Sequence, residues 1–83
     1  MSDQTMDLAG LVRTLVEPIV EYPGDLQVSQ TESDAGILVE IALNEEDTGK
    51  VIGRQGRVIK AIRTLARAAA VRADRHVDVE IAE

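Results

Sequence analysis

The 83-residue chain predicts an α+β domain, a three-stranded sheet packed against helices on one face. Three observations carry this. Apolar residues recur at the helical period over residues 8–19 and again beyond residue 56; they alternate at the strand period in three short runs; and Pro23-Gly24 and Gly53 with Gly56 punctuate the chain between them. The resulting order is helix, strand, strand, short helix, long helix, strand.

Leu8, Leu11, Val12, Leu15, Val16 and Ile19 fall on one face of the first helix. Thr5 is placed to cap it, and Asp7 suits the positive end of its dipole. Pro18 lacks a backbone donor, so a kink or break is expected near Glu17, and Pro23-Gly24 turns the chain. Residues 25–31 alternate, with Leu26 and Val28 on one face. Residues 37–43 alternate again through Ile37, Val39, Ile41 and Leu43. The polar link from Glu32 to Gly36 makes these two strands an antiparallel hairpin. Asn44 with Glu45, Glu46 and Asp47 reads as the start of a brief helix that Gly53 soon stops. A long helix follows Gly56 to about Ala73, with Ile59, Ile62, Leu65, Ala66 and Ala69 toward the core. Val77, Val79 and Ile81, alternating with Asp78 and Glu80, give the third strand.

Composition removes several functional classes. A chain this short hides somewhat more than ~60% of its unfolded surface, so one domain over residues 1–83 is expected, with residues 1–6 flexible. Tyr22 is the sole aromatic residue, which argues against reading bases on an aromatic sheet. There is no cysteine, and His76 is the only histidine, so neither a disulfide framework nor a metal centre is expected. The acidic N-terminus does not resemble a signal peptide, and no apolar run approaches the ~18 residues that span a bilayer. A soluble, cytoplasmic protein is the expectation.

The formal charge of -6 is unevenly distributed. Residues 1–47 carry one base, Arg13, against eleven acids, whereas residues 48–83 carry eight bases against four acids. Between Lys50 and Arg75 only Asp74 opposes those eight bases. A small acidic domain thus presents one concentrated positive field, or else a helix whose solvated face is arginine-rich.

The stretch VIGRQG, residues 51–56, sits at the centre of that field. Gly53 and Gly56 serve as helix punctuation, one ending the short helix and one opening the long one. The same bare backbone also lets a phosphate approach the positive end of the long helix. G-x-x-G alone is weak and matches neither the dinucleotide fingerprint nor the P-loop. The flanking cations strengthen it: Lys50 precedes the bend, Arg54 lies in it, and Arg57, Lys60 and Arg63 follow.

VIGRQGRVIKAI, residues 51–62, resembles the signature of the K-homology (KH) domain: a branched aliphatic pair, G-x-x-G, and apolar residues at the positions of Ile59 and Ile62. The element order is similar to the type II arrangement. Together with LVEPIVEYPGDLQV and EDTGKVIGRQGRVIKAIRTL, the chain resembles over essentially its whole length the small bacterial KH-domain RNA-binding proteins of the KhpA type. The resemblance implies that Gly53, Arg54, Gln55 and Gly56 clamp the backbone of about four nucleotides of single-stranded RNA. Ile52 and Ile59 are candidates for an aliphatic floor beneath the bases, or else belong to the core. Lys50, Arg57, Lys60 and Arg63 supply electrostatic attraction. The resemblance further implies association with a larger KH protein of the Jag type as well as with itself, and a role in post-transcriptional regulation or as an RNA chaperone.

A protein-interaction module is the alternative. Ala61, Thr64, Ala68 and Val71 recur at the spacing of a helix–helix seam, although alanine also simply favours helix on a solvated face. No nucleophile lies beside a base at a recognisable spacing, and Glu45, Glu46 and Asp47 read as helix-start charges. No catalytic residue, cofactor or metal ligand is therefore assigned.

Overall fold

The computed structural model describes residues 6–82, and its first element, α1, spans Leu8–Val16. Leu8, Val12 and Val16, spaced four apart, are fully buried, with Leu11 packed beside them. The expected Thr5 cap lies outside the described residues. Asp7 is the cap: its carboxylate accepts from the Gly10 N–H at 2.9 Å. At Pro18 the helix ends rather than kinks. Glu17 closes the last turn onto the Arg13 carbonyl, Ile19 bonds back to Val16, and the expected core position of Ile19 is lost to the surface. Pro18 has no N–H to donate, so the α ladder cannot continue through it. Met6, included among the residues expected to be flexible, packs against the core.

A single turn of 3-10 helix over Pro23–Asp25 leads to Leu26, which is buried just ahead of β1, Gln27–Ser33. β1 therefore begins two residues later than its alternation suggests. It pairs antiparallel with β2, Gly36–Ala42, in a register that sets Ser33 opposite Gly36 and leaves only Asp34 and Ala35 in the turn. β3, Val77–Ile81, runs parallel to β2, giving the order β1-β2-β3. Parallel neighbours need a long crossover, and here the crossover contains the next two helices.

The first of these, α2, is Thr48–Ile52, entered by a 3-10 turn over Glu45–Asp47; the second, α3, is Arg57–Ala69. This is the α-β-β-α-α-β order of the type II arrangement. α1 packs on β1 and β2 and α3 packs on β3, all on one side of the sheet. That side presents Ile37, Val39 and Ile41, flanked by Val28 on β1 and by Val77, Val79 and Ile81 on β3. Burying one such aliphatic side chain contributes about 1.5–3 kcal/mol. Gln30, also on this side, ties α1 to the sheet: it accepts from the Ala9 N–H at 3.0 Å and donates to the Met6 carbonyl at 2.8 Å. One of the unpaired donors at the start of α1 is satisfied in this way.

α3 differs from its sequence reading in two respects. Its buried stripe is Ile59, Ile62 and Ala66, continued by Ala70, whereas Leu65 is 49% exposed and Ala69 also faces solvent. The helix lies over the edge strand with α1 on its other flank, so only a narrow arc of its surface is covered; Leu65 stands about 100° round the helix from Ala66. It also ends four residues early. Ala70 leaves the helical region at φ -96°, and a 3-10 turn over Val71–Ala73 brings the chain round to β3. No described helix is long and apolar enough to cross a membrane.

Candidate nucleic-acid interface

α2 ends at Gly53, which adopts φ 79° and ψ 172°. An added Cβ there would collide with the Val58 side chain and its backbone nitrogen, so Gly53 is required by both conformation and space. One turn over Arg54–Gly56 follows, closed by the Gly56 N–H on the Gly53 carbonyl at 3.1 Å. Gln55 occupies the left-handed region at φ 58° and ψ 25°, a conformation that costs a non-glycine residue about 1–2 kcal/mol. Its side-chain oxygen accepts from Arg57 Nη2 at 3.1 Å, which helps hold the bend. Gly56, at φ 74°, opens α3 in empty surroundings. The punctuation reading of both glycines is therefore correct. Beyond punctuation, no side chain caps the start of α3, leaving its positive end facing solvent.

The cations fall into two groups. Arg13 pairs with Glu17 at 3.7 Å, Arg67 with Asp78 at 3.4 Å and Arg75 with Glu32 at 3.6 Å. Lys50, expected among the ligand contacts, belongs with them: its ammonium donates to Glu21 at 3.1 Å and lies 3.8 Å from Asp47. The bond to Glu21 raises its pKa above the ordinary 10.5, with further help from the nearby Asp47 charge. In contrast, Arg54, Arg57 and Lys60 are exposed and have no carboxylate partner among the described residues. They share one bend and the first turn after it. Arg72, beyond the far end of α3, also has no such partner among the described residues. Arg63 is partly buried, and its Nε donates to the Val79 carbonyl at 3.0 Å.

The two isoleucines proposed for an aliphatic floor separate. Ile59 is 7% exposed and belongs to the core, because it lies on the same stripe of α3 as Ile62 and Ala66. Ile52 is 37% exposed and lines a cleft of about 540 Å³ with Leu43, Thr48 and Ile81. A second cleft of about 410 Å³ runs between α3 and β3, lined by Lys60, Arg63, Thr64, Arg67 and Asp78–Glu80. The first lies at the C-terminal ends of β2 and β3, and the second along the outer edge of β3.

Of the proposed seam, Ala61, Thr64 and Ala68 are exposed on α3, but Val71 stands on the turn beyond it at 73% exposure. The helix ends too soon to carry all four. Leu65 joins them as an exposed apolar side chain that a core reading of α3 overlooks.

Asp47 is the residue whose importance sequence reasoning missed. It is the one fully buried charged side chain described, and its two carboxylate oxygens accept from the backbone N–H groups of Glu21 and Tyr22 at 2.9 and 3.0 Å. Asp47 thus fastens the segment after α1 to the start of α2. The i, i+3 spacing to Lys50 was a legible signal; the partners some 25 residues away were not. Among the described residues no group of three or more His, Cys, Asp or Glu is arranged to hold a metal ion.

Residues 9–81 match the family described as KhpA/KhpB, KH domain. The chain is 45% identical over 71 residues to an RNA-binding protein KhpA of Clostridium acetobutylicum, covering 86% of this chain and 95% of that protein. It is 42% identical over 81 residues to an RNA-binding protein KhpA of Bacillus subtilis, covering 98% of each. Among solved structures it is similar to Era in complex with MgGDPNP and nucleotides 1506–1542 of 16S ribosomal RNA, with TM-score 0.65 and 27% identity. That likeness covers 95% of this chain but only 31% of Era, so it concerns one part of a larger protein. The helix-framed G-x-x-G bend, the mixed sheet and these matches agree: the chain belongs to the KhpA/KhpB family of KH-domain proteins.

Proposed function

We propose that the chain binds single-stranded RNA, without catalysis, at the bend from Gly53 to Gly56. The observation that carries this is the convergence of Arg54, Arg57 and Lys60, free of carboxylate partners among the described residues, on the uncapped start of α3. Phosphates approach the glycine backbone and meet the positive helix end together with the three cations. The strained Gln55 holds the bend in shape, and Ile52 offers the apolar surface beside it. The KhpA relatives named as RNA-binding proteins, and the 16S rRNA segment in the Era complex, support the choice of RNA. The residues 1–83 act as one KH domain in the cytoplasm, in post-transcriptional regulation.

Titration of a labelled single-stranded RNA at increasing salt tests the reading. At about 0.7 per phosphate contact on single strands, three contacts give a slope of log K against log salt near -2. Binding insensitive to salt contradicts the cationic clamp.

A second reading, protein pairing, draws on the exposed apolar strip of Ala61, Leu65 and Ala68 on α3. The partner is a second copy or a larger KH protein of the Jag type, and pairing two weak clamps raises avidity. Light scattering should then find a dimer that Ala68→Glu converts to a monomer. A wild type that stays monomeric at high concentration, with RNA present, removes this reading and leaves the RNA clamp standing.

A further inference from the structure

β3 is an edge strand, and edge strands present unpaired backbone groups that invite another strand. Its inner side is settled by two bonds: the Ile37 N–H donates to the His76 carbonyl, and the Ala82 N–H to the Ile41 carbonyl, each at 2.8 Å. Even-numbered residues therefore turn their backbone toward β2, and Val77, Val79 and Ile81 turn theirs outward. Two of the three outward carbonyls are taken by arginine. Arg67 Nε donates to Val77 at 3.1 Å and Arg63 Nε donates to Val79 at 3.0 Å, both partly buried.

The spacing explains why this works. α3 runs opposite to β3, so four residues of helix rise, about 6 Å, match two residues of strand, about 6.6 Å. Side chains at i and i+4 share one helix face and so meet successive outward carbonyls. The third carbonyl, Ile81, lies where the ladder stops, beside the cleft that Ile52 lines, and Lys60 at the next turn of α3 makes no bond to it.

We infer that Arg63 and Arg67 are positioning residues for RNA. They lock the edge of β3 to α3 and so fix the wall of the cleft between them, along which RNA held at the Gly53–Gly56 bend continues past Lys60, and they close this edge to strand addition up to Ile81. The inference rests on the RNA-binding reading of that bend. It assigns Arg63 a role other than the phosphate contact that its place in the basic field suggests. Nε is the atom used, and lysine, which has no equivalent of the directional guanidinium fork, cannot replace it although it keeps the charge.

The test is fluorescence anisotropy with a labelled random-sequence RNA octamer across a salt series, on the full chain and on Arg63→Lys, Arg63→Ala, Arg67→Lys and Lys60→Ala. Amide exchange of β3 is followed in the same proteins without RNA. The lock predicts that Arg63→Lys and Arg67→Lys weaken binding about three- to tenfold at every salt concentration, because the loosened wall must be ordered on binding. Their salt slope stays at the wild-type value, and exchange rises at Asp78, Glu80 and Ala82, whose N–H groups face β2. Lys60→Ala instead makes the slope shallower by about 0.7. Wild-type affinity in both lysine variants overturns the inference. So does a slope made shallower by Arg63→Ala and restored by Arg63→Lys, which marks a phosphate contact. A wild type that binds no octamer overturns the RNA reading itself and this inference with it.

Discussion

Two helix starts, at Asp47 and at Gly56, lie nine residues apart; neither has a side-chain cap bond, yet the chain around them differs. At the start of α2 the chain closes on itself. Asp47 is buried, both its oxygens accept backbone N–H groups, and Lys50 is drawn to Glu21 and Asp47. At the start of α3 the chain stays open: two successive residues sit at positive φ, and the neighbouring cations lack carboxylate partners among the described residues. The difference teaches where structure ends and ligand begins. The sequence places Glu45, Glu46 and Asp47 at the first bend and no acid between residues 48 and 73, around the second. A buried polar group left unpaired costs about 1–3 kcal/mol, so satisfied groups mark demands of the fold, whereas exposed donors and unrelieved backbone strain point to function.

Breaking the closed bend should have the largest effect on stability. Asp47→Ala removes two charge-assisted bonds and leaves the Glu21 and Tyr22 N–H groups without acceptors. Urea denaturation should show a loss of about 3 kcal/mol; a loss below about 1 kcal/mol would mean that water replaces the carboxylate and that the bend is not closed. The two glycines sharpen the contrast at the open bend. Gly53→Ala meets both positive φ and Val58 and should cost about 2–4 kcal/mol, whereas Gly56→Ala meets φ alone and should cost about 1–2 kcal/mol. Equal losses would show that the contact with Val58 relaxes freely.

The smallest effect concerns the exposed Lys50–Glu21 pair. Because Lys50 titrates higher in the folded chain than at its ordinary 10.5, the pair's contribution is fully present below pH 10.5 and is lost as pH rises through the folded value. The difference in urea midpoint between the wild type and Glu21→Gln should be constant from neutral pH to about pH 10 and shrink above it. A difference that instead disappeared between pH 7 and 9 would assign the effect to another group.

Local periodicity made the order of elements legible. Val77, Val79 and Ile81 alternate as observed, and Leu8, Val12 and Val16 fall on the buried stripe. Periodicity does not report how much of a helix its neighbours cover, so it places Leu65 and Ala69 inside and carries the stripe to Ile19, past the proline that ends α1. The glycine bend was legible because only particular residues adopt its backbone angles. The separation of Ile52 from Ile59, the capture of Lys50 and the bonds from Arg63 and Arg67 to β3 depend on contacts between segments distant in sequence. No spacing rule carries that information.

The claim that the open bend is the RNA site is tested most directly by replacing Arg54 and Gln55 together with aspartate and titrating single-stranded RNA. Both side chains are exposed, and aspartate tolerates the left-handed region that Gln55 occupies, so circular dichroism should remain native. Two negative charges beside the start of α3 repel phosphate and compete for the same donors, so binding should be lost at all salt concentrations. A folded double variant that binds RNA as tightly as the wild type would contradict the account and place the site elsewhere.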